Sequence, residues 1–394
     1  KDEDEDKVTF ALSTLKAGSI DLNGATSPSN VPTNPTIIAT FNLAVKASTA
    51  NATNITMTRD YDDTAIALTI TVSGSSITIV PNDILGNGAL FELKMTGIQS
   101  TDDQTLSAVT RAFTTEGTFV PAGQIAYWSF EENADDVVGA WDPAATGIVD
   151  ITYSDSRNAA AGKAASFNGT TSIIEVPNGD LLIDTDDFTI SFWVKTNSTD
   201  KTNDHFILGL GAYFGIQYQI MASYKEAKFA ISYEAGDGTL VSEDMWFPSL
   251  ATDNTTGGWQ GWDYAKSLSE DEMISYLKDT WLQVVYTYNG ASKKGILYYN
   301  GVKMKSFDFN LWPEGDVKQT IVGLKYRGVA PEVVNELAFG FIQSRAGTLW
   351  DAEPWGNYDS PDANHFKGLL DDVRIFHKPL TAQEIELMYE SEKP

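Results

Sequence analysis

Runs of about five residues in which apolar or β-branched side chains alternate with polar ones recur along the whole chain, with Gly, Pro, Asn or Asp between them. In Ser76-Ile-Thr-Ile-Val80 the two Ile residues share one face, and Pro81-Asn-Asp83 breaks the run. A period of two marks a half-buried strand, so a chain patterned this way folds mainly as β-sheet. Helical periodicity is confined to two short stretches, each opened by a capping box. Ser269-Glu-Asp-Glu272 precedes Met273, Ile274 and Leu277; Thr381-Ala-Gln-Glu384 precedes Ile385, Met388 and Tyr389. Both stripes predict short helices that pack against a sheet.

The aromatic residues divide the chain. All ten Trp lie at or beyond Trp128, whereas the first 118 residues hold no Trp, one Tyr (Tyr61) and 21 Thr. The stretch Thr115–Gly123 has the Gly and Pro content of a linker. These features set a Thr-rich domain at 8–118, a linker at 119–122 and an aromatic-rich domain at 123–394. The first seven residues, Lys-Asp-Glu-Asp-Glu-Asp-Lys, have nothing to bury and predict a solvated tail. At 394 residues the chain is long enough for two or three independent cores.

Several function classes are excluded at this level. There is no Cys, hence no disulfide framework, thiolate metal site or thiol nucleophile. With 54 acidic residues against 27 basic ones, the net charge of −27 opposes binding to nucleic acid or an anionic membrane. No apolar run approaches the length of a transmembrane segment. The expected partners are a cation, a neutral polar ligand or a basic protein.

Seven strand-like runs fall within 8–118: Val8–Leu12, Thr36–Phe41, Ile55–Arg59, Ala67–Val72, Ser76–Val80, Leu90–Met95 and Arg111–Thr115. That number over about 110 residues predicts an Ig-like β-sandwich. Ile77–Leu85, Leu90–Thr96 and Phe113–Thr115 resemble bacterial Ig-like domains that serve as spacers on surface proteins. Beyond residue 123 about a dozen longer strands predict a two-sheet jelly roll, with Asn300-Gly301 as a type I′ hairpin turn. In order, Ile125-Ala-Tyr-Trp-Ser-Phe-Glu131, Gly162–Gly169, Asp187-Phe-Thr-Ile-Ser-Phe-Trp-Val-Lys195, Trp281–Tyr286, Leu297-Tyr-Tyr-Asn-Gly301, Gly368-Leu-Leu-Asp-Asp-Val-Arg-Ile375 and Leu380–Ile385 resemble the laminin-G-like, concanavalin A-like jelly roll of bacterial surface proteins. The resemblance implies an all-β chain, binding of a polysaccharide or glycoprotein glycan, and often a bound calcium. Together with the Lys-and-acid tail, it resembles the surface lipoproteins of Bacteroidetes. On that reading the protein is secreted or held at the outer-membrane surface, with a lipid anchor before residue 1.

Trp128, Trp193 and Trp281 fall inside regular strand patterns and are expected in the core. Trp246, Trp259, Trp262, Trp312, Trp350, Trp355 and Tyr358 lie instead in irregular stretches rich in Gly, Pro, Asp and Asn. An indole face stacks on the C–H face of a sugar while neighbouring polar groups bond its hydroxyls, so these seven are the expected ligand-binding residues. Pairing of the first and last strands of the jelly roll would bring Glu131 and Asn133 near Asp371, an oxygen donor set for a structural calcium. The alternative reading of Asp371-Asp372-Val-Arg374 is an edge turn with a local Asp–Arg pair.

Catalysis has little support in the sequence. His205, His365 and His377 are far apart in the chain, without metal-binding spacing. No strand carries the alternating carboxylates of a concanavalin-like glycosidase. Non-catalytic carbohydrate binding is therefore the expected function. A glycoside hydrolase using loop carboxylates, or an adhesion or scaffold domain that recognises a protein, remain as alternatives.

Overall fold

The computed structural model describes residues 8–248 and 262–394, with Trp262 described by its backbone alone. The chain divides into two compact units between Val120 and Pro121.

The first unit is a sandwich of a five-stranded and a four-stranded antiparallel sheet. The larger sheet has the order Ile20–Asp21, Leu12–Ala17, Ile37–Phe41, Ser76–Pro81, Leu68–Ser73; the smaller runs Thr64–Ile66, Ile55–Arg59, Leu90–Met95, Val109–Thr114. Alternation decides the faces: Ile77 and Ile79 are fully buried, as their spacing predicts, and so are Phe91, Leu93 and Phe113 of the smaller sheet. The first strand begins at Leu12 and runs to Ala17, later than the Val8–Leu12 expected from the sequence.

The second unit is a larger sandwich. Its nine-stranded sheet includes Lys163–Asn168, Lys367–Phe376, Asp187–Thr196, Leu282–Asn289, Lys294–Tyr299, Val302–Asp308 and Trp262–Ala265 in that order, and Gln124–Trp128 also pairs with Lys367–Phe376. The facing eight-stranded sheet contains four consecutive strands that matter below: His205–Gly209 (β1), Ile216–Ile220 (β2), Ala227–Ala235 (β3) and Leu240–Phe247 (β4). Between the sheets Tyr218 meets Tyr299 hydroxyl to hydroxyl at 2.8 Å, and Tyr233 meets Tyr286 at 2.5 Å. Trp128 is fully buried, as expected. Asn300 and Gly301 both take positive φ, as a type I′ turn requires.

Both predicted helices are present with complete capping boxes: Ser269 with Glu272 for Glu270–Leu277, and Thr381 with Glu384 for Ala382–Glu392. The second helix covers the outer face of the nine-stranded sheet. Ile385 and Met388 are fully buried, and Tyr389 stacks on buried Trp193 at 5.9 Å.

A β-bulge in Lys367–Phe376 creates a buried ion network beside that helix. Pairing with Asp187–Thr196 shifts register so that Ser191 faces Arg374 while Trp193 faces Asp371, and Asp372 takes a φ of 47°. The extra residue lets two successive aspartates meet the same partner. Arg157 lies 2.7 Å from Asp371 and also bonds Asp372, with its guanidinium 4.6 Å from the Trp193 ring. Ser156 donates to Asp371, Tyr127 donates to Asp372 at 2.5 Å, and Arg374 sits 3.4 Å from Asp372. Burial and the adjacent Asp372 carboxylate push Asp371 up to about 8, against the pull of Ser156 and Arg157. Burial acts on Asp372 in the same sense, but Arg374 and Arg157 overcome it and hold that carboxyl below the usual range.

A strap of residues 340–366 links Leu337–Phe339 to Lys367–Phe376 and lies on the outer face of the eight-stranded sheet. There Phe341, Ile342 and Ala363 join Phe206 and Ile173 in a satellite apolar cluster. Arg345 ties the strap down through a two-point ion pair with Glu175, at 2.7 and 3.1 Å. His365 stacks on Phe341 at 4.5 Å and donates through Nε2 to the Tyr358 carbonyl at 2.8 Å. His205, at the strap's base, bonds Tyr224 through Nε2 at 2.9 Å and accepts the Lys367 N–H through Nδ1.

Two predictions follow from this packing. Replacing Arg157 by Met removes the cation closest to Asp371 and leaves Asp372 with Arg374 as its ionic partner, and the expected loss of stability is about 3 kcal/mol; calorimetric melting measures it, and a loss under about 1 kcal/mol would show the network is not holding the sheet. The second concerns pH. Burial pushes His205 down to about 3 and His365 down to about 4, so both are neutral in the fold. An unfolded His titrates near 6.5. Their contribution is thus complete above about pH 6.5 and is lost as pH falls towards 4. Asp371, held protonated in the fold, acts in the opposite sense over the same range and is common to both proteins, so in urea unfolding between pH 6.5 and 5 the parent should lose roughly 2 kcal/mol more stability than a His205→Gln/His365→Gln variant.

Candidate ligand-binding groove

The strands β1–β4 decide what the outer face of the eight-stranded sheet presents. Along β2, Ile216, Tyr218 and Ile220 point into the core; along β3 Phe229 and Ile231 do; along β4 Met245 and Phe247 do. The residues between them must point out. Antiparallel pairing aligns these in rows: Phe206, Gln219, Lys228 and Trp246 cross all four strands, and Gln217, Ala230 and Asp244 cross three. Ala230, the smallest member, keeps the floor low between its neighbours.

The strap supplies the opposing wall. Trp350 and Trp355 lie 5.1 Å apart, with Trp355 6.1 Å from Phe206 and Trp350 6.2 Å from Tyr213. Their approach depends on Gly356, where a Cβ would fall 2.6 Å from the Trp350 Cβ. Trp355 is 36% exposed, an unusual state for so large an apolar ring. The space between strap and strands is an open groove of about 820 Å³.

Its floor is a directional hydrogen-bond relay. Gln217 Nε2 donates to Gln219 Oε1 at 3.0 Å, and Gln219 Nε2 donates to Asp204 at 2.7 Å. The other Asp204 oxygen accepts the Ala222 N–H at 2.7 Å. Lys228 sits 3.3 Å from Asp244 and 4.9 Å from the centroid of the Trp246 ring, so one ammonium neutralises an acid and braces the indole.

Of the seven residues expected to bind ligand, the structure brings together Trp246, Trp350 and Trp355. Trp246 stands on a regular strand, not in an irregular stretch. Trp312 is a correction: it is 6% exposed and packs on Phe309 at 4.9 Å within the core. Tyr358 pins the strap, donating to the Thr171 carbonyl, and is not part of the groove lining. Trp259 lies outside the described residues, and the side chain of Trp262 is not described. Gln217, Gln219, Lys228 and Asp244 were not anticipated. Their signal is the polar residue at every second position of strands whose other positions are bulky and apolar.

The expected calcium donors do not form a calcium site. Asp371 is committed to Arg157, Ser156 and the Asp372 N–H, and a guanidinium beside it repels a divalent cation. Of the alternative, an edge turn with a local Asp–Arg pair, only the Arg374–Asp372 contact at 3.4 Å is found: the strand is internal to the sheet, and the chief partner, Arg157, comes from a distant part of the chain. Glu131 accepts the Lys163 N–H with both oxygens, at 3.1 and 3.2 Å. Asn133 donates to the Glu131 carbonyl and accepts the Asp135 N–H, closing a local turn. Among the described residues no group of three His, Asp or Glu is arranged to hold a metal. Nor is any helix among them long and apolar enough to cross a membrane.

Comparison with known proteins agrees with this architecture. Residues 168–328 match a laminin-G-type family model described as the concanavalin A-like lectin/glucanases superfamily, and residues 20–115 match the bacterial Ig-like domain. No curated protein matches the chain. Similar solved structures include the receptor-binding domain of botulinum neurotoxin type G, at 16% identity and a TM-score of 0.39, covering 68% of this chain and 51% of that one. The binding domain of Paraclostridial mosquitocidal protein 1 shows 17% identity, a TM-score of 0.42 and coverage of 68% and 52%. The ligand-binding domain of botulinum neurotoxin serotype D, in complex with N-acetylneuraminic acid, shows 16%, 0.39, and 68% and 51%. The chain spans about half the length of each of these structures. By its family matches, the chain carries a bacterial Ig-like domain followed by a laminin-G-like domain of the concanavalin A-like superfamily.

Proposed function

We propose that the second domain binds carbohydrate in the groove on the outer face of its eight-stranded sheet. The observation that carries this reading is the meeting of Trp246, from a strand, with Trp350 and Trp355, from the strap, over a floor of ordered amides. Sugar rings offer C–H faces that stack on indoles and hydroxyls that both donate and accept, and this lining supplies both kinds of partner. The groove volume falls in the range of small-ligand sites and accommodates a few sugar rings.

Recognition accounts for the lining better than hydrolysis. Asp204 is engaged by Gln219 and the Ala222 N–H, and Asp244 by Lys228, so two of the three lining carboxylates already serve to order the floor. In this reading the Ig-like domain is a spacer of a secreted or surface-displayed protein.

A glycan array probed with the full chain tests the proposal. Trp246→Ala and Trp355→Ala should each weaken binding to any retained glycan by about tenfold or more, the scale of a central aromatic contact. A retained glycan that both variants bind as tightly as the parent would remove the groove from consideration. A blank array with folded protein would favour a protein partner, and release of reducing sugar would favour the hydrolase.

A further inference from the structure

We infer that the groove selects uncharged, hydroxyl-rich glycan chains and rejects uronic, sulfated or sialylated ones. This rests on the carbohydrate reading above and adds the class of sugar.

The argument is one of charge. Three carboxylates line the groove, Asp204, Asp244 and Asp362, against one ammonium, Lys228. That ammonium is already engaged by Asp244 at 3.3 Å and by the Trp246 ring. An acidic sugar on Lys228 would have to share that ammonium with Asp244, bringing the ligand's carboxylate beside the protein's own. Among the described residues no arginine lines the groove, although planar two-point recognition of carboxylate or sulfate favours a guanidinium. Arg327 stacks on Tyr213 at 5.2 Å and donates to its carbonyl, and it is not among the lining residues. Lys201 is not among the lining residues either; it donates to Asn203 Oδ1 at 2.5 Å. An anionic chain would therefore enter a groove of net negative lining on a protein of net charge −27.

The uncharged alternative meets no such obstacle. Gln217 uses one N–H in the relay and keeps its second N–H and its carbonyl oxygen, while Gln219 donates to Asp204 and to the Met221 sulfur and keeps one carbonyl lone pair, which leaves a donor and acceptors for hydroxyl groups. Asp204, as the acceptor at the end of the relay, orients both amides, so the floor presents a defined pattern before ligand arrives.

The test compares acidic oligosaccharides with their carboxyl-reduced, uncharged counterparts, titrated calorimetrically against the full chain at low and at physiological salt. The uncharged member of each pair that binds should bind at least tenfold more tightly at low salt, and the gap should narrow as salt screens the lining carboxylates. Asp362→Arg, checked for folding by its thermal melt, should shift the acidic-to-neutral affinity ratio towards the acidic member by about tenfold. Equal or tighter binding of the acidic members at low salt would overturn the selectivity while leaving the carbohydrate reading intact. Failure of every oligosaccharide of either class to bind would overturn both.

Discussion

The inward faces of β2, β3 and β4 meet the facing sheet through large side chains, and that burial governs everything on the other side. Tyr218, Phe229, Met245 and Phe247 are each removed from solvent, and each such burial stabilises the fold by roughly 1.5–3 kcal/mol. Sliding any of these strands by one residue would exchange Tyr218 for Gln217, or Met245 for Asp244, and place polar groups between the sheets. The register is therefore locked by the core, and the rows Phe206–Gln219–Lys228–Trp246 and Gln217–Ala230–Asp244 are its necessary outward counterpart. A groove floor made this way inherits the rigidity of the sheet, which is what a site needs to hold its polar groups in order before a ligand arrives.

The opposing wall has no sheet to hold it, and the strap solves that problem with a core of its own. Phe341, Ile342 and Ala363 pack on Phe206 and Ile173, while Arg345 clamps Glu175 and Tyr358 reaches the Thr171 carbonyl. The two histidines belong to the same fastening, since both are buried in neutral form at or beneath the strap. With its flanks fixed, the strap can leave Trp355 partly in solvent, and Gly356 lets Trp350 approach closely enough to support it.

Much of this fold is legible in the sequence because it follows from local rules. The alternation of Ser76–Val80, the Asn300-Gly301 turn and both capping boxes each specify their structure within a few residues, and each is found as read. Trp350 and Trp355 lie in an irregular stretch as their Pro, Gly, Asp and Asn neighbours indicate, while Trp246 stands on a strand. The failures have physical causes. Leu240–Phe247 did not read as a strand because Ser242, Glu243 and Asp244 obscure its alternation, although Met245 and Phe247 pack inward. Trp312 looked like a loop residue, but the turn at Phe309–Leu311 folds it back under the core. Asp371 and Asp372 share one arginine only because of a bulge, and bulges arise from strand pairing, which a single sequence does not display. Arg157 lies more than 200 residues away in the chain.

The two outer faces of this sandwich treat polar groups in opposite ways. On the nine-stranded sheet, Arg157, Arg374, Asp371 and Asp372 lie beside a covering helix and are satisfied by one another, which is the condition under which charges tolerate burial. On the eight-stranded sheet the strap leaves Lys228, Asp244 and Trp246 partly open to water, while Gln217 and Gln219 are buried and only partly satisfied by one another. Gln217 and Gln219 are fixed in orientation by a relay ending at Asp204; Gln217 keeps one N–H and its carbonyl oxygen outside the relay, and Gln219 keeps one carbonyl lone pair. A helix over that face would require partners for those amides; the strap instead stops short and places its Trp side chains at the edge. An ordered row of half-satisfied amides between aromatic walls is stable in water and gains further when a ligand supplies groups that both donate and accept. Hydroxyls on a sugar ring with an apolar C–H face meet both demands at once, whereas an anionic group adds repulsion from the lining carboxylates.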